Sequence, residues 1–143
     1  MAGRLYITDQ GFSFSAKAVE TISGGQIVRA VSGATVLTTN NQMSNVLEVA
    51  LVDAAGDHTT AVGVAINTGV SGDRIGVATA GIHGFYASNG VTAGNLVFAD
   101  GSVASADAAL AILNVNAGSQ TAYHFGRALS TAASGQLTAV QLR

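Results

Sequence analysis

The stretch GVAINTGVSG (63–72) returns in altered form as GRALSTAASG (126–135). Five of the ten positions are identical: Gly63 and Gly126, Ala65 and Ala128, Thr68 and Thr131, Ser71 and Ser134, Gly72 and Gly135. Ile66 and Leu129 exchange one bulky aliphatic for another. Neither copy holds a residue able to act as a catalyst. The phrase therefore reads as architecture, a strand followed by a Gly-closed turn, stated once in each half of the chain.

The repeat extends past this phrase. Its offset is 126 − 63 = 63, and Val77 meets Val140 at the same offset. Upstream, SGGQIV (23–28) resembles TAGNLV (92–97) at an offset of 92 − 23 = 69. The first half thus carries six more residues in its middle. The polar stretch Thr38–Asn45, TTNNQMSN, reads as the loop that holds them. Chance similarity in an Ala-, Gly- and Ser-rich chain is the competing explanation. Two matches in the same order count against it.

Strands are expected near 26–31, 46–53, 61–66, 74–79, 82–87, 96–99, 123–129 and 137–142, where Val, Ile and aromatic residues lie between Gly, Asn, Asp and Ser breaks. Proline is absent, so chain reversals rest on those residues. Asn89-Gly90 and Asp100-Gly101 are hairpin signals. Residues 106–113, ADAALAIL, form either the one good helix or a buried strand, and so short a run does not decide. The fold class expected is all-β, a small β-barrel or sandwich built from two similar halves with at most one short helix. The domains expected are an N-terminal arm over 1–21 and one barrel-like domain over 22–143, with halves of about 22–88 and 89–143.

Composition narrows the function. Charged residues are 10% of 143, against about 25% in ordinary soluble domains. Either the surface is solvated by Ser, Thr, Asn and Gln, or much of it is buried in an assembly. Six basic and eight acidic side chains give a net charge of −2, with one lysine, Lys17. Nucleic acid needs clustered Lys and Arg, so none is expected as a partner. The chain has no cysteine, hence no disulfide and no Cys-based zinc site, which fits synthesis in a reducing cytoplasm. No signal segment or membrane span is visible, and neither membrane nor cofactor is expected.

Catalytic motifs are missing. Lys17 lies in SAKAV, which is no P-loop, and Gly69, Gly72 and Gly76 are not spaced as a dinucleotide fingerprint. No Gly-x-Ser-x-Gly elbow occurs. His58, His83 and His124 show no helical zinc spacing, and Asp53, Asp57, Asp73 and Asp100 sit in turn contexts. No catalytic, cofactor or metal residue is assigned, and no enzyme is expected. A hydrolase would require Asp and His gathered around one cleft.

Aromatic residues mark the contact candidates. Tyr6, Phe12 and Phe14 belong to the first fourteen residues, which form either a docking strap or an edge strand folded back on the barrel. Phe85 and Tyr86 are weaker candidates for an oligomer interface.

The order of SGGQIV (23–28), VGVAI (62–66), SGDRIGVATAGIHGFY (71–86), TAGNLVFAD (92–100), FGRAL (125–129) and LTAVQLR (137–143) resembles that of the capsid-cement, or head decoration, proteins of tailed bacteriophages. The likeness covers most of the chain from residue 22, and the order of its motifs is more specific than any one of them. The insert at Val36–Asn45 and the aromatic arm depart from the pattern. The resemblance implies a β-barrel-like virion protein with no catalytic residues. It would be made in the host bacterial cytoplasm and bound to the outer capsid surface. It would bridge subunits of the major capsid protein as a homo-oligomer, a trimer first of all. The alternative is another virion β-structure module, a tail, spike or fibre domain that binds a host surface.

Overall fold

The computed structural model describes residues 13–31, 47–54, 56–100, 111–114 and 125–142. Ten strands follow one another: β1 Ser13–Ala18, β2 Ile27–Ala30, β3 Leu47–Leu51, β4 Ala61–Ala65, β5 Arg74–Ala78, β6 Gly81–Ala87, β7 Leu96–Ala99, β8 Ala111–Asn114, β9 Gly126–Ala128 and β10 Leu137–Leu142. A 3-10 turn at Asp57–Thr60 precedes β4. The fold is mainly β, as expected.

The strands close into two five-stranded barrels, in the orders β1-β3-β2-β4-β5 and β10-β6-β8-β7-β9. Each has one parallel pair, β1 with β3 and β6 with β8, and is antiparallel elsewhere. Closure removes the unpaired edges that an open sheet exposes. So small a barrel is filled by its own side chains. In the first these include Ala16, Ala18, Val28, Val49, Leu51, Ala65, Ile75 and Val77, with Phe14 half-buried against them.

The pairing registers establish the duplication. Lys17 faces Arg74, and Tyr86 faces Leu137. Val28 faces Leu51 and Gly63, and Val97 faces Asn114 and Gly126. Every such pair maps one barrel on the other at an offset of 69 residues through β1 and β2, and 63 from β3 onward. The change of offset falls between Ala30 and Leu47, a span that contains the loop expected at Thr38–Asn45, itself outside the described residues.

Each identity in the doubled phrase has the same cause twice. A Cβ on Gly63 would fall on the carbonyl oxygen of Ala78, and one on Gly126 on that of Gln141. The buried Ala65 and Ala128 N–H groups donate to Gln26 and Asn95 carbonyls, both at 2.9 Å. Thr68 Oγ1 accepts from Gly24 N–H at 3.1 Å, and Thr131 Oγ1 from Ala93 N–H at 3.0 Å. The Ser71 hydroxyl donates to the Val19 carbonyl, and the Ser134 hydroxyl to that of Ser88. Gly72 and Gly135 sit at φ 96° and 81°, and their N–H groups donate to Ala18 and Ala87, both at 2.7 Å. Positive φ at this turn position favours glycine.

The barrels also touch. On the outside of the first, Ile27 pairs across to Val64 and Val64 to Ala78, and all three are fully buried. Ile27, Val64 and Val52 belong to the same apolar cluster as Phe85, Phe125 and Leu142 of the second barrel. Only two residues, Thr79 and Ala80, join β5 to β6.

Several expectations change. Ser13–Ala18, placed in the arm over 1–21, is a strand of the closed first barrel with a partner on each side rather than an edge strand, and residues 1–12 of that arm lie outside the described residues. The half boundary lies at 78–81 rather than 88–89, because β6 is the second barrel's counterpart of β1. Ala111–Asn114 is a strand, so the helix reading of 106–113 fails for its described part. Asn89-Gly90 does not make a hairpin of β6 and β7, which are not neighbours. Asp100-Gly101 is no two-residue hairpin either, since Ala99 pairs with Ile112.

Candidate functional site

Several chemistry-bearing side chains in the described residues serve the fold. The carboxylate of Asp57 accepts from Asp53 and Ala54 N–H groups at 3.2 and 3.0 Å and lies 3.3 Å from Arg29 Nε. That guanidinium also donates to the Leu51 carbonyl at 3.1 Å, tying the 3-10 turn to β2 and β3. The Asp73 carboxylate accepts from Val70 N–H at 2.9 Å across its own turn, as the Gln136 side chain does from Ala133 N–H at 3.0 Å. Glu20 accepts from Leu51 N–H at 3.2 Å.

Two polar groups are buried more deeply. Asp100, 4% exposed at the end of β7, accepts a 2.5 Å hydrogen bond from the Ser88 hydroxyl just past β6. His83 is fully buried on β6 with Nε2 3.2 Å from the Ala80 carbonyl. His58 lies on the 3-10 turn, and His124 is outside the described residues. Among the described residues no three His, Cys, Asp or Glu side chains come together as a metal site.

The aromatic candidates separate. Tyr6 and Phe12 lie outside the described residues. Phe14 turns into its own barrel and is half-buried there. Phe85 is fully buried inside the second barrel, edge-on to Phe125 with ring centroids 5.8 Å apart at 72°. That ring supports its own chain from within. Tyr86, next along β6, alternates to the outer face and is half-buried there.

Around Tyr86 lies a surface that the sequence reading did not assemble. Tyr86 pairs with Leu137, which is 48% exposed. One step along the sheet, Gly84 pairs with Ala139, whose carbonyl accepts from Leu129 N–H, and Leu129 is 43% exposed. Beyond them Ile82 pairs with Gln141, and Gln141 with Arg127. Such a surface offers mainly apolar contact. Leu129 and Leu137 come from separate segments, so only strand pairing shows them to be neighbours.

No family model matches the chain, and no curated protein does. Among solved structures it is similar to the N base of the head fiber protein gp8.5 of bacteriophage phi29, with a TM-score of 0.55 and 18% identity, over 92% of this chain and 93% of that one. The likeness is one of fold, and it spans both barrels.

Proposed function

We propose that the chain is a structural module of a tailed-bacteriophage virion, attached to the head as the base of a head fibre. The observation that carries this reading is the likeness to a head-fiber base along 92% of the chain, which is more than one barrel could supply. It favours the fibre-module alternative over the cement protein that the sequence resembles. A head-fibre base, like a cement protein and unlike a tail or spike domain that binds a host surface, would sit on the outer surface of the head with the major capsid protein as partner. Fibre base and cement protein differ in whether the chain also locks the shell. The reading assigns no catalytic step, and the polar side chains already described have structural partners. Several modest contacts acting together in an oligomer, a trimer first of all, would supply the attachment.

The test adds purified protein to capsids that lack it and measures co-sedimentation and the temperature of thermal rupture. A fibre base binds and leaves the rupture temperature unchanged. A cement protein binds and raises it. Absence of co-sedimentation sinks both readings.

A further inference from the structure

The two barrels act as controls for each other, position by position. In the first, the outer row Ile27–Val64–Ala78 is apolar and fully buried where the second barrel lies near it. The equivalent row of the second barrel is Leu96–Arg127–Gln141, with Arg127 and Gln141 exposed. A face that is covered in one barrel is therefore polar where it is open in the other. The next comparison runs the opposite way. In the first barrel the outer row Arg74–Lys17–Glu48 is entirely charged. Its equivalent in the second is Leu137–Tyr86–Ala111. The same backbone site tolerates charge, so the fold does not demand apolar side chains there.

We propose that this outer face of β6, β9 and β10, centred on Tyr86 and Leu137 and reaching Leu129, is an interface with a second copy of this chain. Both barrels are closed, so a partner cannot add a strand and must pack face to face. The rows through Leu137, Tyr86 and Leu129 carry no charge, and Arg127 stands at their rim. A partner selected by charge would find nothing to pair with there, whereas an uncharged apolar face is complementary to itself. The relief is self-complementary too: the Leu137–Tyr86 ridge lies beside the small residues Ala139 and Gly84, so the ridge of one copy can seat in the trough of another. Strands about 4.8 Å apart make this a patch of a few hundred Å², the apolar centre of an interface needing roughly 800 Å² per partner.

The proposal rests on the oligomer part of the function proposed above but supplies a two-fold contact, since a face that packs against itself pairs two copies and does not by itself close a trimer, and solution mass separates the two. Leu137→Arg with Tyr86→Lys installs the residues that the first barrel carries at these positions. By analytical ultracentrifugation, the wild-type chain is expected at a multiple of its 14.2 kDa mass and the double variant at one chain mass, with a cooperative melt retained at a lower temperature. Should that variant not fold, Leu129→Ser with Leu137→Ser is judged by the same criterion. A monomeric wild type, or a folded variant that keeps the multiple mass, overturns the proposal. A monomeric wild type whose variant no longer co-sediments with capsids assigns the face to the shell instead, which overturns the second copy and leaves the virion role standing. An oligomer that fails to co-sediment does the reverse.

Discussion

Gly126 on β9 lies so close to the carbonyl oxygen of Gln141 on β10 that no Cβ fits between them, and Gly63 meets Ala78 in the same way. The atom in the way is backbone, which cannot rotate aside as a side chain does. Gly126→Ala and Gly63→Ala are each expected to destabilise by about 1–3 kcal/mol, the usual penalty of overpacking. Gly72→Ala has open space around its Cβ and loses only through its φ of 96°, by about 1–2 kcal/mol. Chemical denaturation of the three variants checks this, and an unchanged midpoint for Gly126→Ala would refute the steric account.

The hydroxyls of Thr68 and Thr131 receive equivalent N–H groups at 3.1 and 3.0 Å, both at exposed sites. Replacement by valine keeps the shape and removes the acceptor. Each of Thr68→Val and Thr131→Val is expected to lose about 0.5–1 kcal/mol, a fall of a few degrees in melting temperature. The two losses should add, because the turns lie in separate barrels. Calorimetry of the single and double variants decides it.

β1 is held by β5 on one side and β3 on the other, so it closes the first barrel. Removing residues 1–12 is expected to leave the melting temperature within a few degrees. Removing residues 1–18 opens the barrel and exposes Val49 and Ile75 among others, and the protein should no longer melt cooperatively. Circular dichroism melts of both truncations test this. Equal behaviour of the two would contradict the pairing.

All eight expected strands are present, because Val, Ile and aromatic runs bounded by glycine report strands directly. The other two are of another kind: β1 is not among the expected strands, and the run that holds β8 reads as either helix or strand. β1 reads SFSAKA, and Ser, Ala and Lys have little intrinsic preference for strand. Its partners lie some thirty and sixty residues away, so its state depends on contacts that a local reading does not contain. β8, AILN, is too short for its period to separate strand from helix. The duplication was legible because turn geometry constrains sequence tightly: Gly63, Thr68, Ser71 and Gly72 each meet a separate backbone requirement. The Tyr86–Leu137 surface was not legible. Its residues come from different strands, and only the register makes them a row.

The buried Asp100 and the half-buried Ser88 pair at 2.5 Å and join the ends of β7 and β6, two strands that are not neighbours. Ser88→Ala and Asp100→Ala are each expected to be destabilising. A double-mutant cycle should return a coupling of about 1–3 kcal/mol, as befits a hydrogen bond to a carboxylate. A coupling near zero would mean that the two groups act on stability independently.

The connection between β2 and β3 is longer than its counterpart needs to be. Ala30 pairs with Val49, and Ala99 with Ile112. The chain between paired residues therefore takes 49 − 30 − 1 = 18 residues in the first barrel and 112 − 99 − 1 = 12 in the second, across the same pair of strand ends. Twelve residues demonstrably span the gap. Excising six residues from within Thr38–Asn45 should leave the fold intact. Loop-closure entropy changes by only about 0.6 kcal/mol per doubling of length, so the shorter loop should raise stability by roughly half that. A melting temperature unchanged or slightly raised, with an unchanged strand signal in circular dichroism, is the expected result. If the shortened protein instead keeps its stability but stops co-sedimenting with capsids, the extra six residues belong to the attachment rather than to the barrel. That outcome would explain why only the first half carries them.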